Sequence, residues 1–204
     1  MRKTLFTLIA LPFLALANDQ LEKEIESCKS LTDSTQRLAC YDKIFEKKTE
    51  SSIDKNAMGK WFVQQGVSPV DDSKSVTIRL NADRPINARY NLITPHLYIR
   101  CKENVTELYI DFDTFLRSNG LTPITRIDSE KAVSNRRWDI SNDHKAIFYS
   151  STRSKKTTDF IKELIGKNKL FIQVTPYGES AVNTTFTLTG LDEAIKPLRE
   201  TCGW

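Results

Sequence analysis

From Asp19 to about Lys48, apolar and small residues recur at Leu21, Ile25 and Cys28 and then at Leu38, Tyr41, Ile44 and Phe45. Spacings of three and four put each set on one helical face, which predicts two amphipathic helices. Thr32-Asp33-Ser34 between them supplies N-cap oxygens for the second helix, and Gln36 is placed to close a capping box with Asp33. The segment 18–48 therefore reads as a helical hairpin. Around Thr49-Glu50-Ser51-Ser52 large apolar residues almost vanish, which marks 49–59 as a linker.

After Gly59 the period changes from helical to alternating. Short β-branched and aromatic runs predict strands at Lys60 to Gln64, Ser75 to Leu80, His96 to Arg100, Glu107 to Phe112, Thr122 to Asp128, Arg137 to Ile140, Ala146 to Tyr149, Leu170 to Thr175 and Thr184 to Thr189. Val76, Ile78 and Leu80 point one way and Thr77 and Arg79 the other; Leu97 and Ile99 oppose Tyr98 and Arg100; Phe186 and Leu188 oppose Thr185 and Thr187. Such alternation fits antiparallel sheets with one buried face. Thr158 to Ile165 and Leu191 to Arg199 instead carry one-sided helical stripes suited to lying on a sheet. The predicted fold class is α+β, mainly β. A helical hairpin precedes an antiparallel β-sandwich-like domain, 60–204, with one or two covering helices.

The first residues follow another logic. Arg2 and Lys3 precede a charge-free apolar stretch, Leu5 to Leu16, that ends in Ala15-Leu16-Ala17. This is the profile of a signal peptide over 1–17, with cleavage after Ala17, and it is shorter than the roughly 20 residues of a membrane span. The expected compartment is the periplasm, or failing that the medium outside the cell. No second segment is long enough to span a membrane.

Loss of Arg2 and Lys3 lowers the basic count from 30 to 28 against 26 acidic residues, so the net charge falls from +4 to +2. The positives are interleaved with negatives except at Arg136-Arg137 and Arg153-Ser154-Lys155-Lys156, which read as solvated loop faces. A nucleic-acid partner is not expected from this pattern.

Cys28, Cys40, Cys101 and Cys202 are even in number, which in an oxidising compartment favours two disulfides. Of the three possible pairings, Cys28–Cys40 closes the helical hairpin and leaves Cys101–Cys202 to join a mid-chain strand to the last helix. Zinc ligation lacks support, because no C-x-x-C pair is present and His96 and His144 stand far apart. No cofactor or metal is expected.

Several of these runs together resemble the TagO family, also called VasI, of accessory proteins associated with bacterial type VI secretion. The resemblance rests on Arg37-Leu38-Ala39-Cys40-Tyr41-Asp42, on Trp61 followed by Asp71-Asp72-Ser73 and Val76, and on Leu97-Tyr98-Ile99-Arg100-Cys101 with Leu108-Tyr109-Ile110. It continues through Arg126-Ile127-Asp128, Trp138, Phe186, Gly190-Leu191, Leu198-Arg199 and Cys202-Gly203-Trp204. It implies an envelope location and an accessory role. The expected partner is then an envelope or secretion-apparatus protein, with peptidoglycan as a second candidate.

Candidate chemistry is sparse. His96 follows Pro95 at a strand start and His144 lies in a polar loop, neither beside a nucleophile motif, so Ser-His hydrolysis is not indicated. Asp111 and Asp113 alternate on a strand and could serve a glycosidase or a calcium ion, but alternating polar residues on a half-solvated strand give the same pattern. The expectation is a non-enzyme, with an inhibitor of a cell-wall enzyme or a peptidoglycan- or glycan-binding module as the alternative. Arg126 and Asp128 mark either a surface pair or a recognition face. Trp204, two residues after the last cysteine, Cys202, either packs back or stays available to a partner.

Overall fold

A computed structural model describes residues 23–50, 57–88, 91–134, 136–150 and 154–204. The expected signal peptide, 1–17, and part of the expected linker lie outside the described residues. The chain divides into two compact units, Met1–Ile53 and Asp54–Trp204.

In the first unit, helix α1 is described over residues 23–29 and α2 runs Ser34–Glu50. Asp33 caps α2: its Oδ1 accepts the backbone N–H groups of Thr35 at 3.0 Å and Gln36 at 2.8 Å. A disulfide joins Cys28 to Cys40 across the hairpin, with Cα atoms 5.6 Å apart.

The second unit holds the strands. They are β1 (Phe62–Val67), β2 (Lys74–Asn81), β3 (Ile86–Asn87), β4 (Leu92–Ile93), β5 (His96–Lys102), β6 (Val105–Asp111), β7 (Ile124–Ile127), β8 (Asp139–Ile140), β9 (Ala146–Phe148), β10 (Lys169–Val174) and β11 (Val182–Thr187). Six of them form an antiparallel sheet in the order β1-β2-β5-β6-β9-β8, three form a second sheet in the order β11-β10-β7, and β3-β4 is a small hairpin. The chain is thus mainly β, with antiparallel sheets after disulfide-linked N-terminal helices.

Register explains why one face of the larger sheet is apolar. Val76 lies opposite Cys101, Ile78 opposite Ile99 and Leu80 opposite Leu97, and the rows continue to Thr106, Leu108 and Ile110. All of these side chains are buried. The β5–β6 connection is a two-residue turn in which Glu103 and Asn104 both take positive φ, 51° and 58°. A turn of that hand matches the twist of the strands it joins and so fixes the register.

Helix α3 (Ser154–Leu164) buries Thr157, Phe160, Ile161 and Leu164 and packs by β6. The expected last helix is divided into α4 (Leu191–Ala194) and α5 (Lys196–Cys202). Pro197 lacks the N–H that would continue the ladder at the junction. The apolar stripe nevertheless runs on through Leu191, Ala194, Ile195 and Leu198, so the break leaves the buried face intact. Helix α5 packs on β2 and β5, and Cys202 reaches the buried Cys101 with a Cα separation of 5.8 Å.

At the start of α4, Gly190 has φ 87°, and a Cβ there would lie 2.4 Å from the Met58 carbonyl oxygen. No other residue fits this approach of two backbones. Trp61, buried beside it, donates its indole N–H to the Leu188 carbonyl at 3.3 Å.

The Cys101–Cys202 bond should dominate the stability of this unit. Cys202→Ser is expected to cost about 2–5 kcal/mol in urea unfolding followed by near-UV circular dichroism, whereas Cys40→Ser should leave that transition in place. Equal loss in both variants would refute this division.

Candidate functional site

The residues singled out from sequence separate into structural and surface roles. Asp128 follows β7 directly with φ 47°, and its Oδ1 accepts the backbone N–H groups of Asn168 at 2.9 Å and Lys169 at 2.8 Å. Its own N–H donates to the Lys169 carbonyl at 3.0 Å. The carboxylate thus caps the entry to β10. Trp204 turns back over the fold: Gly203 takes a left-handed conformation, and the indole N–H donates to Thr106 Oγ1 at 2.9 Å. The Trp204 ring also meets the cations of Lys162 at 5.5 Å and Arg199 at 5.4 Å. Trp204 therefore bridges α3, α5 and β6.

The acidic pair is likewise engaged locally. Asp111 Oδ1 accepts the Asp113 N–H at 2.8 Å, and Asp113 pairs with Lys145 at 2.7 Å. His96 Nδ1 lies 3.0 Å from Asn81 Oδ1. Burial, with the nearby Arg79 charge, lowers its pKa from the ordinary value. Among the described residues no three His, Cys, Asp or Glu side chains converge as a metal site.

Arg126 behaves differently from its neighbour Asp128. It lines a cleft of about 280 Å³ together with Lys131, Arg136, Tyr149, Phe160 and Glu163. Folding back of the chain after β7 builds this cleft. Val133 bridges to Thr125, and Trp138 bridges to Leu121, which carries Arg136 over the mouth. Tyr149, just beyond β9, stacks on Phe160 of α3 with centroids 4.2 Å apart and planes 3° from parallel. The buried Trp138 meets both rings edge-on, at 5.3 Å and 6.1 Å.

Arg136 lies over the other face of Tyr149, its Cζ 4.0 Å from the ring centroid, and its Nε donates to the Tyr149 carbonyl at 3.3 Å. Arg126 lies over Phe171, its cross-strand neighbour, at 5.7 Å. Neither guanidinium forms an ion pair among the described residues. Glu130 is held by Lys167 at 2.9 Å, while Lys131 and Glu163 have no ion-pair partner among those residues. The site is thus an aromatic stack with two ring-braced guanidiniums at its rim. Burial raises the Tyr149 pKa, an effect that the Arg136 charge opposes.

Sequence reading missed this grouping. It placed Arg136 among solvated loop positions, named Trp138 within the family resemblance, took Tyr149 and the Phe160 segment as parts of a strand and a covering helix, and did not mark Tyr149, Phe160 or Glu163 as site residues. Only the Arg126-Ile127-Asp128 and Trp138 motifs pointed toward it.

A second aromatic feature crosses the outer face of the large sheet. Tyr98, Tyr109 and Phe148 occupy one register row, with successive centroids 4.8 Å and 4.7 Å apart. Arg100 lies 5.5 Å from the Tyr109 centroid and pairs with Glu107. Such cross-strand pairs each add roughly 0.2–1 kcal/mol to a sheet, and this row is read as structural.

Two outcomes follow from these contacts. Asp128→Ala should cost about 1–3 kcal/mol in urea unfolding, because two backbone donors lose a charged acceptor, and Asp128→Asn should cost less because its side-chain oxygen still accepts and asparagine tolerates the left-handed conformation. For Tyr149 the folded pKa is raised, so its contribution to stability is complete below the ordinary tyrosine value of about 10 and is lost as pH rises through the folded value. Comparing alkaline unfolding of the wild type and Tyr149→Phe checks the sign: the phenylalanine variant should lose less stability above that pH.

Among curated proteins and among solved structures, none matches the chain at a significant level. The family model described as type VI secretion system VasI, EvfG does match, over residues 27–204, a span that contains both disulfides, the cleft and the Trp204 anchor. With most of its length so matched, the chain belongs to the type VI secretion system VasI/EvfG family.

Proposed function

We propose that this chain is an exported, periplasmic, non-catalytic accessory of a type VI secretion machine, acting by binding an envelope or apparatus protein. The observation that carries this reading is the family match over 27–204. Family membership makes the protein type VI secretion-associated; the compartment and the mode of action are the further steps.

Two disulfides suit an oxidising compartment, and the Leu5 to Leu16 stretch supplies a route to it. No helix among the described residues is long and apolar enough to cross a membrane. The non-catalytic role is supported by the use already made of the polar candidates. Asp111 closes a turn, Asp113 pairs with Lys145, and Asp128 caps backbone N–H groups. A binding role also agrees with a surface cleft lined by Arg126, Lys131 and Arg136.

Deletion of the gene should reduce export of a type VI substrate, with restoration by the full-length chain but not by a version lacking residues 1–17. Osmotic-shock fractions should contain a protein whose N-terminal sequence starts at Asn18. A cytoplasmic, reduced protein that restores export without the leader would refute the reading.

A further inference from the structure

We propose that the cleft between β7 and α3 is a binding site for a short acidic peptide segment, whose carboxylates are taken by Arg126 and Arg136. This goes beyond the envelope role above and stands without it.

The first observation is the state of the two guanidiniums. Each is braced by an aromatic face, Arg136 by Tyr149 at 4.0 Å and Arg126 by Phe171 at 5.7 Å. Arg136 is fixed further by its Nε donation to the Tyr149 carbonyl. Bracing spends the ring-facing side of each guanidinium, and the Tyr149 hydroxyl takes a further hydrogen bond from Arg136, so the remaining N–H groups of Arg136 and the whole outer edge of Arg126 are left to a ligand. A pre-positioned fork of this kind matches a carboxylate bidentately and loses little side-chain entropy on binding.

The second observation is charge balance. Glu130 is already paired with Lys167, so Arg126, Arg136 and Lys131 face a single unpaired carboxylate, Glu163, among the described lining residues. The cleft is net cationic, which selects an anion. Glu163 belongs to the same lining, so the ligand's negative charges must be spaced to reach the two guanidiniums without crowding it, as carboxylates on successive residues of a peptide can be.

The third is the shape and surface left free. Tyr149 is covered by Phe160 on one face and by Arg136 on the other, and Trp138 is buried. No open ring face remains there on which a sugar could stack, so a glycan is disfavoured. Ile127 and Val133 give apolar contact for an aliphatic side chain or backbone. A volume of about 280 Å³ accommodates a few residues of peptide.

The test uses the purified full-length mature chain with N-acetylated triglutamate as probe and the matching triglutamine peptide as control, followed by titration calorimetry and ¹⁵N chemical shifts. Triglutamate should bind with affinity that falls as salt is added, shift the Arg126 and Arg136 side-chain signals, and exceed triglutamine by roughly tenfold or more. Arg136→Lys should lose most of that preference, because an ammonium lacks the fork, and Arg126→Gln should lose it too. Lys74→Gln, on β2, is the control and should bind like the wild type. Arg126 is exposed, so its variant keeps the test open if substitution at Arg136 perturbs folding. Equal binding of the two peptides, or triglutamate binding unchanged in Arg126→Gln, would overturn the proposal. Tighter binding of inorganic phosphate or of a hexuronate oligosaccharide at the same signals would overturn the peptide assignment.

Discussion

The bond between Cys101 and Cys202 is the constraint on which the larger unit turns. Cys101 is fully buried in β5, inside the apolar rows of the six-stranded sheet, and Cys202 closes α5. Closing a loop of this length removes unfolded-state freedom worth on the order of 4 to 5 kcal/mol in a chain-entropy account. Its structural reach is wider than the two sulfurs. With α5 held on β2 and β5, Gly203 can turn the chain so that the Trp204 indole meets Thr106. The same ring contacts Lys162 of α3, the helix that supplies Phe160 and Glu163 to the cleft. A covalent link at the sheet centre is thus joined, contact by contact, to the floor of the cationic cleft.

Secondary structure was legible where the local pattern and the tertiary environment agree. Val76, Ile78 and Leu80, or Leu97 and Ile99, alternate because one sheet face is covered, and the pattern states that plainly. The α4–α5 stripe was equally clear, although Pro197 divides the helix in a way that spacing alone does not reveal. The β3–β4 hairpin escaped notice because two paired residues, Ile86-Asn87 with Leu92-Ile93, are too few to establish a period. β7 stops one residue earlier than expected because Asp128 takes a left-handed conformation and uses its carboxylate on β10. That role depends on residues some forty positions away, which no local pattern encodes.

The cleft was hidden for the same reason in stronger form. Arg126 comes from β7, Arg136 and Trp138 from the returning segment, Tyr149 from the end of β9, and Phe160 from α3. Each position has an ordinary local explanation: a strand polar, a loop cation, a core aromatic. Only their convergence gives two braced guanidiniums without carboxylate partners. Family membership places the chain in type VI secretion, while site chemistry must be read from this convergence.

The order of the cysteines has a consequence for how the molecule is made. Cys28 bonds Cys40 and Cys101 bonds Cys202, so the first partner meets the second and the third meets the fourth. In any vectorial emergence, whether from a ribosome or through a translocation pore, the early pair can oxidise while the later pair is still inside. When Cys202 emerges, Cys101 is the sole thiol left to receive it. Native connectivity then arises from sequential oxidation alone, without the reshuffling that interleaved pairs require, and a donor of oxidising equivalents suffices where an isomerase would otherwise be needed.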